Sequence, residues 1–404
     1  MQTQWNNFAP RVGIAYSPSS AWVVRLGYGW FYNQDIGNAV FDMARNIAGR
    51  FRINSDVGTP TLFWSNALSA GNSSTAQVTD PYAFVDAYSH RTPYTMEYLL
   101  NIQRQFGNSL VVEAGYLGSL SHHLYGFQNA NEAIPGTTGS ALSRTPFPNF
   151  GVIQLVADSG NANYNSASIQ ATKRFSQGLS LISSYTYSKS IDNSSGIRVQ
   201  GYDTLFPQNS DCLACERGLS SFNVGQRFIA SVLYDLPVGR GRALDVHNVF
   251  LNGIVGGWQA GSIWTVQSGF PQTITIGGVD RSGTGNGYDR PNATGVSPYE
   301  ANPTPTLWYN PAAFVEQPAG TFGDVGRNTV VGPGVFALDF DIHKEFHMFY
   351  SERHILQFRA EAFNVLNHPV WSNPNANILS SGFGSITATT IPMRQMQIAL
   401  KYTF

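Results

Sequence analysis

Charge is scarce in this sequence: Asp, Glu, Lys and Arg make up 12% of 404 residues, about half the usual share of a soluble domain. The 24 basic and 25 acidic residues give a net charge of -1 and form no block of either sign. That excludes a basic nucleic-acid surface and an acidic disordered arm. Long apolar runs are missing too. No stretch approaches the roughly 18 residues of a membrane-crossing helix. Cysteine occurs only as Cys212 and Cys215, too few for a structural zinc site without suitable partners nearby. The polar segment Asn209-Ser210-Asp211-Cys212-Leu213-Ala214-Cys215 lacks the βαβ setting of a thioredoxin-like pair. A loop-stapling disulfide and a pair of free thiols both remain open. The start, Met1-Gln2-Thr3-Gln4-Trp5-Asn6, shows no charged region and no apolar region of an export signal. An exported protein is therefore expected to begin upstream of it.

What is abundant is aromatic and small. Phe, Tyr and Trp reach 13% and glycine numbers 40, yet mean hydropathy is only -0.15. Strands with one apolar and one wet face have this composition. The alternation is visible at the C-terminus, where Met396, Ile398, Leu400, Tyr402 and Phe404 interleave with Gln397, Ala399, Lys401 and Thr403. Period two is the strand signature. It recurs in Phe336, Leu338, Phe340 and Ile342, in Leu356, Phe358, Ala360 and Ala362, in Phe228 to Leu236, and in Val24 to Tyr32. Weaker cases lie near 10–17, 94–106, 109–120, 164–176, 178–190 and 256–268. The reading is about 11 strands.

Connections alternate in length. Short turns are expected at 17–22, 106–109, 176–178 and 347–352, with a medium link from Pro237 to Val255. Long polar stretches fill 33–93, 121–163, 191–222, 269–333 and 367–391. Loops this long are rare in a compact soluble domain, whereas outer-membrane barrels pair short periplasmic turns with long extracellular loops. A soluble sandwich or propeller also alternates. Its strands are shorter than the roughly 10–13 residues seen here, and it has no reason to gather aromatics such as Trp22, Trp30, Tyr32, Tyr234, Trp258 and Tyr402 near strand ends. Girdles of that kind mark membrane interfaces. The fold expected is an all-β, antiparallel transmembrane β-barrel portion, occupying 1–404 as one domain in the cell outer membrane.

No nucleophile elbow, zinc-protease helix or P-loop appears, and no enzymatic chemistry, metal or cofactor is expected. The eight histidines are scattered. Gly277 to Asn292 is glycine-rich with Asp280 and Asp289. It reads as a flexible extracellular loop, the alternative being a cradle for a cation or phosphate. The polar positions Asp339, Asp341, Arg359, Glu361 and Lys401 are expected in the lumen at comparable depth. They are expected either to pair across strands, holding register and contacting a plug, or to line a substrate path.

Several ordered segments resemble TonB-dependent outer-membrane receptors, specifically the Oar-like subgroup. They include Asn7-Phe8-Ala9-Pro10-Arg11-Val12-Gly13, Thr92-Pro93-Tyr94 with Asn101-Ile102-Gln103-Arg104, Val112-Glu113-Ala114-Gly115-Tyr116-Leu117-Gly118-Ser119, Tyr185-Thr186-Tyr187-Ser188-Lys189-Ser190-Ile191-Asp192 and Leu236-Pro237-Val238-Gly239-Arg240-Gly241-Arg242. Gly256-Gly257-Trp258-Gln259, the run Arg359 to Pro369 and the terminal Lys401-Tyr402-Thr403-Phe404 complete the series. The resemblance implies the C-terminal half of a barrel of about 22 strands with a plugged lumen. The plug and the first barrel half lie outside this sequence. It implies uptake of large solutes (oligosaccharide, peptide or metal chelate), with the TonB complex engaged only through the N-terminal part. Tyr402 and Phe404 resemble the signal read by barrel-assembly machinery. The other class is a structural or adhesive surface protein without transport. Partners are then outer-membrane lipid and an extracellular ligand, not nucleic acid.

Eleven strands leave two sheet edges whose unpaired groups are costly in lipid. The chain by itself is expected to close them on each other. In the cell, strands of a longer chain are the expected partner.

Overall fold

The computed structural model describes residues 4–33, 43, 82–196, 206–348 and 351–404. Eleven strands follow one another along a single antiparallel path. They are β1 (Arg11–Ser19), β2 (Trp22–Tyr32), β3 (Tyr94–Phe106), β4 (Leu110–Asn129), β5 (Ile153–Ser176) and β6 (Leu179–Asp192). Then come β7 (Gln226–Asp235), β8 (Trp258–Gln267), β9 (Val335–Met348), β10 (Ser351–Phe363) and β11 (Gln395–Thr403). Two short pieces join the same sheet: Ala83–Asp86 runs parallel to β5, and Gly218–Leu219 pairs with β6. Among the described residues no helix is long and apolar enough to cross a membrane, a statement that does not bear on strands.

Register makes one face continuous from strand to strand. Val12, Ile14 and Tyr16 of β1 align with Tyr28, Leu26 and Val24 of β2, which align with Tyr98, Leu100 and Ile102 of β3. At the other end Ile342, Ala360 and Ile398 form one rung across β9, β10 and β11. Phe336, Leu338, Phe340, Leu356, Phe358, Leu400 and Tyr402 share that face. The opposite face carries Arg25, Asn101 and Glu113 at one end and Asp341, Glu361 and Gln397 at the other. Period two therefore sorts apolar from polar over most of the sheet, with exceptions such as Leu99 and Leu117 on the polar face and Arg104 and Lys344 on the apolar one.

All the tight turns fall at one end of the strands, together with the chain's last residue. The long connections fall at the other. β4 and β5 outrun the expected 109–120 and 164–176, continuing to Asn129 and back to Ile153. The extra ladder is broken by bulges near Ser121 and Leu124, and its sequence, Ala157-Asp158-Ser159-Gly160-Asn161-Ala162-Asn163, does not alternate. Alternation marks a strand only where its two faces meet different surroundings. Beyond the apolar band they no longer do.

The expected closure of β1 on β11 is not found: the sheet order ends at these two strands. All nine residues of each are exposed. An odd number of alternating strands explains this, because the first and last then run in the same direction. Closure would replace an antiparallel join with a weaker parallel one. Of the expected 33–93 connection, residues 34–42 and 44–81 lie outside the described residues, as do 197–205 of the 191–222 connection and 349–350 of the turn at 347–352.

Candidate functional site

The connections at the long-loop end fold onto one another. A buried cluster of Ile274, Tyr309, Val325, Val330 and Phe383 joins the β8–β9 and β10–β11 connections. A second, of Phe127, Val156 and Phe206, joins the tops of β4 and β5 to the β6–β7 connection. Polar hubs complete the crown. The Asn131 side-chain amide donates to the carbonyls of Phe147, Phe150 and Gly151 at 3.0, 2.8 and 2.7 Å. Arg144 donates to Gly136 O (2.9 Å) and to Gly283 O, tying the β4–β5 connection to the β8–β9 connection. Each backbone carbonyl taken up in this way removes a buried group that would otherwise lack a partner.

The segment Gly277 to Asn292 is part of this fold, which corrects its reading as a flexible loop. Asp280 accepts from the amides of Thr284 (2.9 Å) and Gly285 (2.8 Å). Asp289 accepts from the Ser282 amide at 2.5 Å. Five glycines take positive φ between Gly277 and Gly287, and these allow the chain to turn back on its own aspartates. Burial pushes the Asp289 carboxyl up from its ordinary range, opposed by the Ser282 hydrogen bonds. Burial likewise raises Glu132, which accepts from the Ser210 amide at 2.7 Å. Tyr288 is raised by the same cause.

A cavity of 480 Å³ opens within the crown, lined by Gln208, Glu216, Gln272, Asp289, Arg290 and Arg327, among others. Its walls are held by two buried ion pairs. Arg290 Nη1 and Nη2 meet Glu216 Oε2 and Oε1 at 2.7 and 2.9 Å. Arg327 pairs with Asp192 at the top of β6, and donates to Glu216 O (2.9 Å), Asp192 O (2.7 Å) and Ser195 Oγ (3.0 Å). Cys212 and Cys215 are joined, their Cα atoms 5.3 Å apart. They clip the turn Leu213–Glu216 that aims Glu216 at Arg290. Gln208 links the two halves, accepting from the Arg290 amide (2.6 Å) and donating to Gly323 O (3.0 Å). The Nη atoms of Arg290 and the Arg327 guanidinium are thus spent internally, while Arg290 Nε is buried without a hydrogen-bond partner. Gln272, Thr273 and Asn328 in the lining are themselves hydrogen-bonded, to Pro374 O and Tyr309, to one another and to Leu219 O. What the lining offers a ligand is therefore Asn373 and the remaining amide and hydroxyl capacity of these groups.

Below the crown lies the polar sheet face. Arg25 donates to Asn101 (3.3 Å) and Gln103 (2.9 Å), and Asn101 donates to Glu113 at 2.7 Å. On the far strands Asp341 contacts His343 at 2.7 Å, His343 contacts Gln259 at 2.8 Å, and Gln259 donates to Asp235 at 2.7 Å. Gly261 stands opposite Asp341 and leaves it room, since a Cβ there would fall 1.9 Å from Asp341 Oδ1.

A model of the outer membrane beta barrel domain matches residues 1–397. The chain belongs to this family. It resides in the outer membrane, which it crosses with strands. A search of the curated proteins found no match. Among solved structures it is similar to the outer membrane transporter YddB from Escherichia coli, at 11% identity and a TM-score of 0.49. That likeness covers 94% of this chain and 38% of YddB. The FrpB iron transporter from Neisseria meningitidis is 12% identical with a TM-score of 0.43, covering 98% of this chain and 39% of that one. The ferric-catecholate import receptor Fiu from E. coli K12 gives 10% and 0.44, covering 97% and 34%. The barrel chain thus spans well under two thirds of each of these proteins.

Within the barrel domain, Asp339, Asp341, Arg359, Glu361 and Lys401 share one sheet face. They do not share one depth. Asp339 stands level with Phe363, and Lys401 pairs with Gln357, three rungs away, roughly 20 Å along the strands. Their contacts also differ from cross-strand ion pairing. Arg359 and Glu361 pair along one strand at 3.1 Å, as Asp341 and His343 do. Across strands, Glu361 accepts a hydrogen bond from Gln397, and Asp339 accepts from the Asn364 amide at 2.8 Å. Side chains two apart on a strand face the same way, so alternating charges along a strand pair locally first. Sequence reading missed Glu216, Arg290, Arg327 and Asp192. Their one signal was scarcity, since a buried charge in a charge-poor loop needs a partner.

Proposed function

We propose that this chain is the C-terminal half of the barrel of a TonB-dependent transporter of the Oar-like subgroup, taking up large solutes. The observation that carries the reading is the folded crown with its polar cavity, set at the open end of the polar sheet face. A crown that only masked the surface would not need an interior lined by amides and held by buried ion pairs. The solute classes are those the resemblance implies: an oligosaccharide, a peptide or a metal chelate. Amide and hydroxyl donors in a concave site suit a ligand rich in hydrogen-bonding groups. The polar face, with Asp339, Asp341, Arg359, Glu361 and Lys401, is read as lumen wall, and the apolar face as lipid contact. Two open edges of the same direction fit a sheet continued by further strands of the same protein, with a plug inside. TonB would act through that remaining part. Tyr402 and Phe404, whose rings stack at 6.1 Å, are read as the assembly signal.

Uptake is the test. Cells making the full-length protein should accumulate one of these solute classes above the porin size limit, and an uncoupler of the proton-motive force should abolish it. Binding at the cell surface without energy-dependent accumulation would favour an adhesive role and overturn transport. A native protein of this mass that runs as a closed, heat-stable barrel would overturn the half-barrel reading.

A further inference from the structure

The short-turn end of the sheet carries one connection that is not short. Residues 236–257, between β7 and β8, include a helix, α1 (Val249–Val255), capped by Asn248 accepting from the Leu251 amide. Its polarity is inverted for a surface helix. Asn252 turns inward and accepts from the Arg240 amide at 2.8 Å. Val249, Phe250, Leu251 and Ile254 point outward, exposed by 71, 86, 50 and 67%. Four large apolar side chains turned into water from a seven-residue helix would oppose its docking there.

The sheet face to which α1 is fastened resolves this. The Trp258 indole donates to Ile254 O at 2.8 Å, and Lys344 Nζ donates to Gly253 O. Both residues lie on one rung of the apolar face, with Phe358 and Leu400. The helix is thus pinned to the outside of the wall, and its bare residues continue the apolar face. The level is marked independently. Lys344 is one of several cations on the apolar face close to the short-turn end. Arg104 lies over the rings of Trp22 (4.9 Å) and Phe106 (4.5 Å), and Lys173 of β5 stands level with Phe106, both being aligned with Leu110. Cations tolerated on a lipid-facing surface sit at headgroup depth, where they reach water. Aromatic rings gather at the same depth.

We infer that α1 is an interfacial anchor: it lies in the periplasmic leaflet with Phe250 and Ile254 among the acyl chains. The occupant of its bare face is phospholipid. Arg240, exposed and tied through its amide to Asn252 of the helix, stands where headgroup phosphates would be, which favours a lipid surface over an apolar protein partner; Arg242 is engaged with Asp235. A short helix lying flat with an apolar underside and basic neighbours is the arrangement expected of a monotopic segment. The inference rests on the apolar sheet face meeting lipid, as proposed above.

Bimane attached at Phe250→Cys or Ile254→Cys tests it, in the full-length protein reconstituted into phosphatidylglycerol–phosphatidylcholine vesicles. Cys212 and Cys215, being joined, stay unlabelled. Labels at Phe340→Cys, on the apolar sheet face, and Gly241→Cys, in the same connection, serve as references. Lipids brominated near the headgroup should quench positions 250 and 254 strongly and position 241 little, with iodide doing the reverse. Iodide quenching at 250 and 254 equal to that at 241 overturns the anchor. Protection from iodide without lipid quenching means a protein covers the helix, and overturns it too. If position 340 also escapes quenching by lipids brominated deep in the acyl chains, the lipid-facing reading of the sheet has failed, rather than the anchor alone.

Discussion

Arg290 and Glu216, 74 residues apart in the sequence, meet through two parallel hydrogen bonds of 2.7 and 2.9 Å inside the crown. Both side chains are almost fully buried, at 6 and 3% exposure. A buried pair of this kind is weak evidence for net stability, but breaking it strands a charge.

Removing one partner is therefore the costly change. Glu216→Ala should destabilise the crown by about 3–5 kcal/mol, while a joint Arg290→Met, Glu216→Leu replacement should cost much less. Hydrogen exchange of residues 206–216 and 289–292 reads the effect. Equal losses in the single and double variants would refute the pairing account.

Asp289 should make the crown pH-sensitive. Burial raises its pKa in the folded state, so the folded form holds its proton more tightly than the unfolded one. The stability it contributes is complete below the unfolded pKa and is lost as pH rises through the folded value. Asp289→Asn should therefore protect the Ser282 region at neutral pH and flatten its pH dependence. Hydrogen exchange corrected for intrinsic rates, measured from pH 4 to 7, checks this. An unchanged pH profile would count against it.

On the apolar face, depth should set the cost of a charge. Phe340→Arg should lower stability by about 2–4 kcal/mol if its rung is near the midplane. Leu400→Arg should cost clearly less, because Lys344 already occupies the same rung as Leu400. Unfolding from lipid vesicles measures both. Equal penalties would mean that Lys344 does not mark the headgroup level.

The bond between Cys212 and Cys215 should be present in protein taken from the outer membrane, since the periplasm and cell surface are oxidising. Alkylation should succeed only after reduction. A Cys212→Ser, Cys215→Ser variant should loosen Glu216 and raise exchange at Gln208. Two thiols alkylated without reduction would rule the bond out in the native protein.

Most of the wall was legible in the amino-acid order. Eleven strands, their alternating faces and the end at which turns are short all follow from period two and from where Gly, Asn and Pro cluster. Lipid on one side and a wet interior on the other impose that pattern residue by residue. Leu400 and Lys401 alone announce their opposite sides. Where both faces of a strand meet protein, as in Ile153 to Asn163, the constraint lapses and the strand becomes invisible to it. The crown was illegible for a related reason. Its order comes from pairs such as Arg290–Glu216 and Arg144–Gly283, between loops far apart in sequence, and no local period encodes a contact across 74 or 139 residues. The open edges belong to tertiary structure as well: an odd count of alternating strands already sets β1 and β11 running the same way, but only the assembled sheet shows them left unjoined rather than closed by a parallel pairing. The sequence by itself determined which side chains face apart. Tertiary structure decided which loops meet, because meeting depends on three-dimensional proximity that hydrogen bonding and burial select only after the strands are in register.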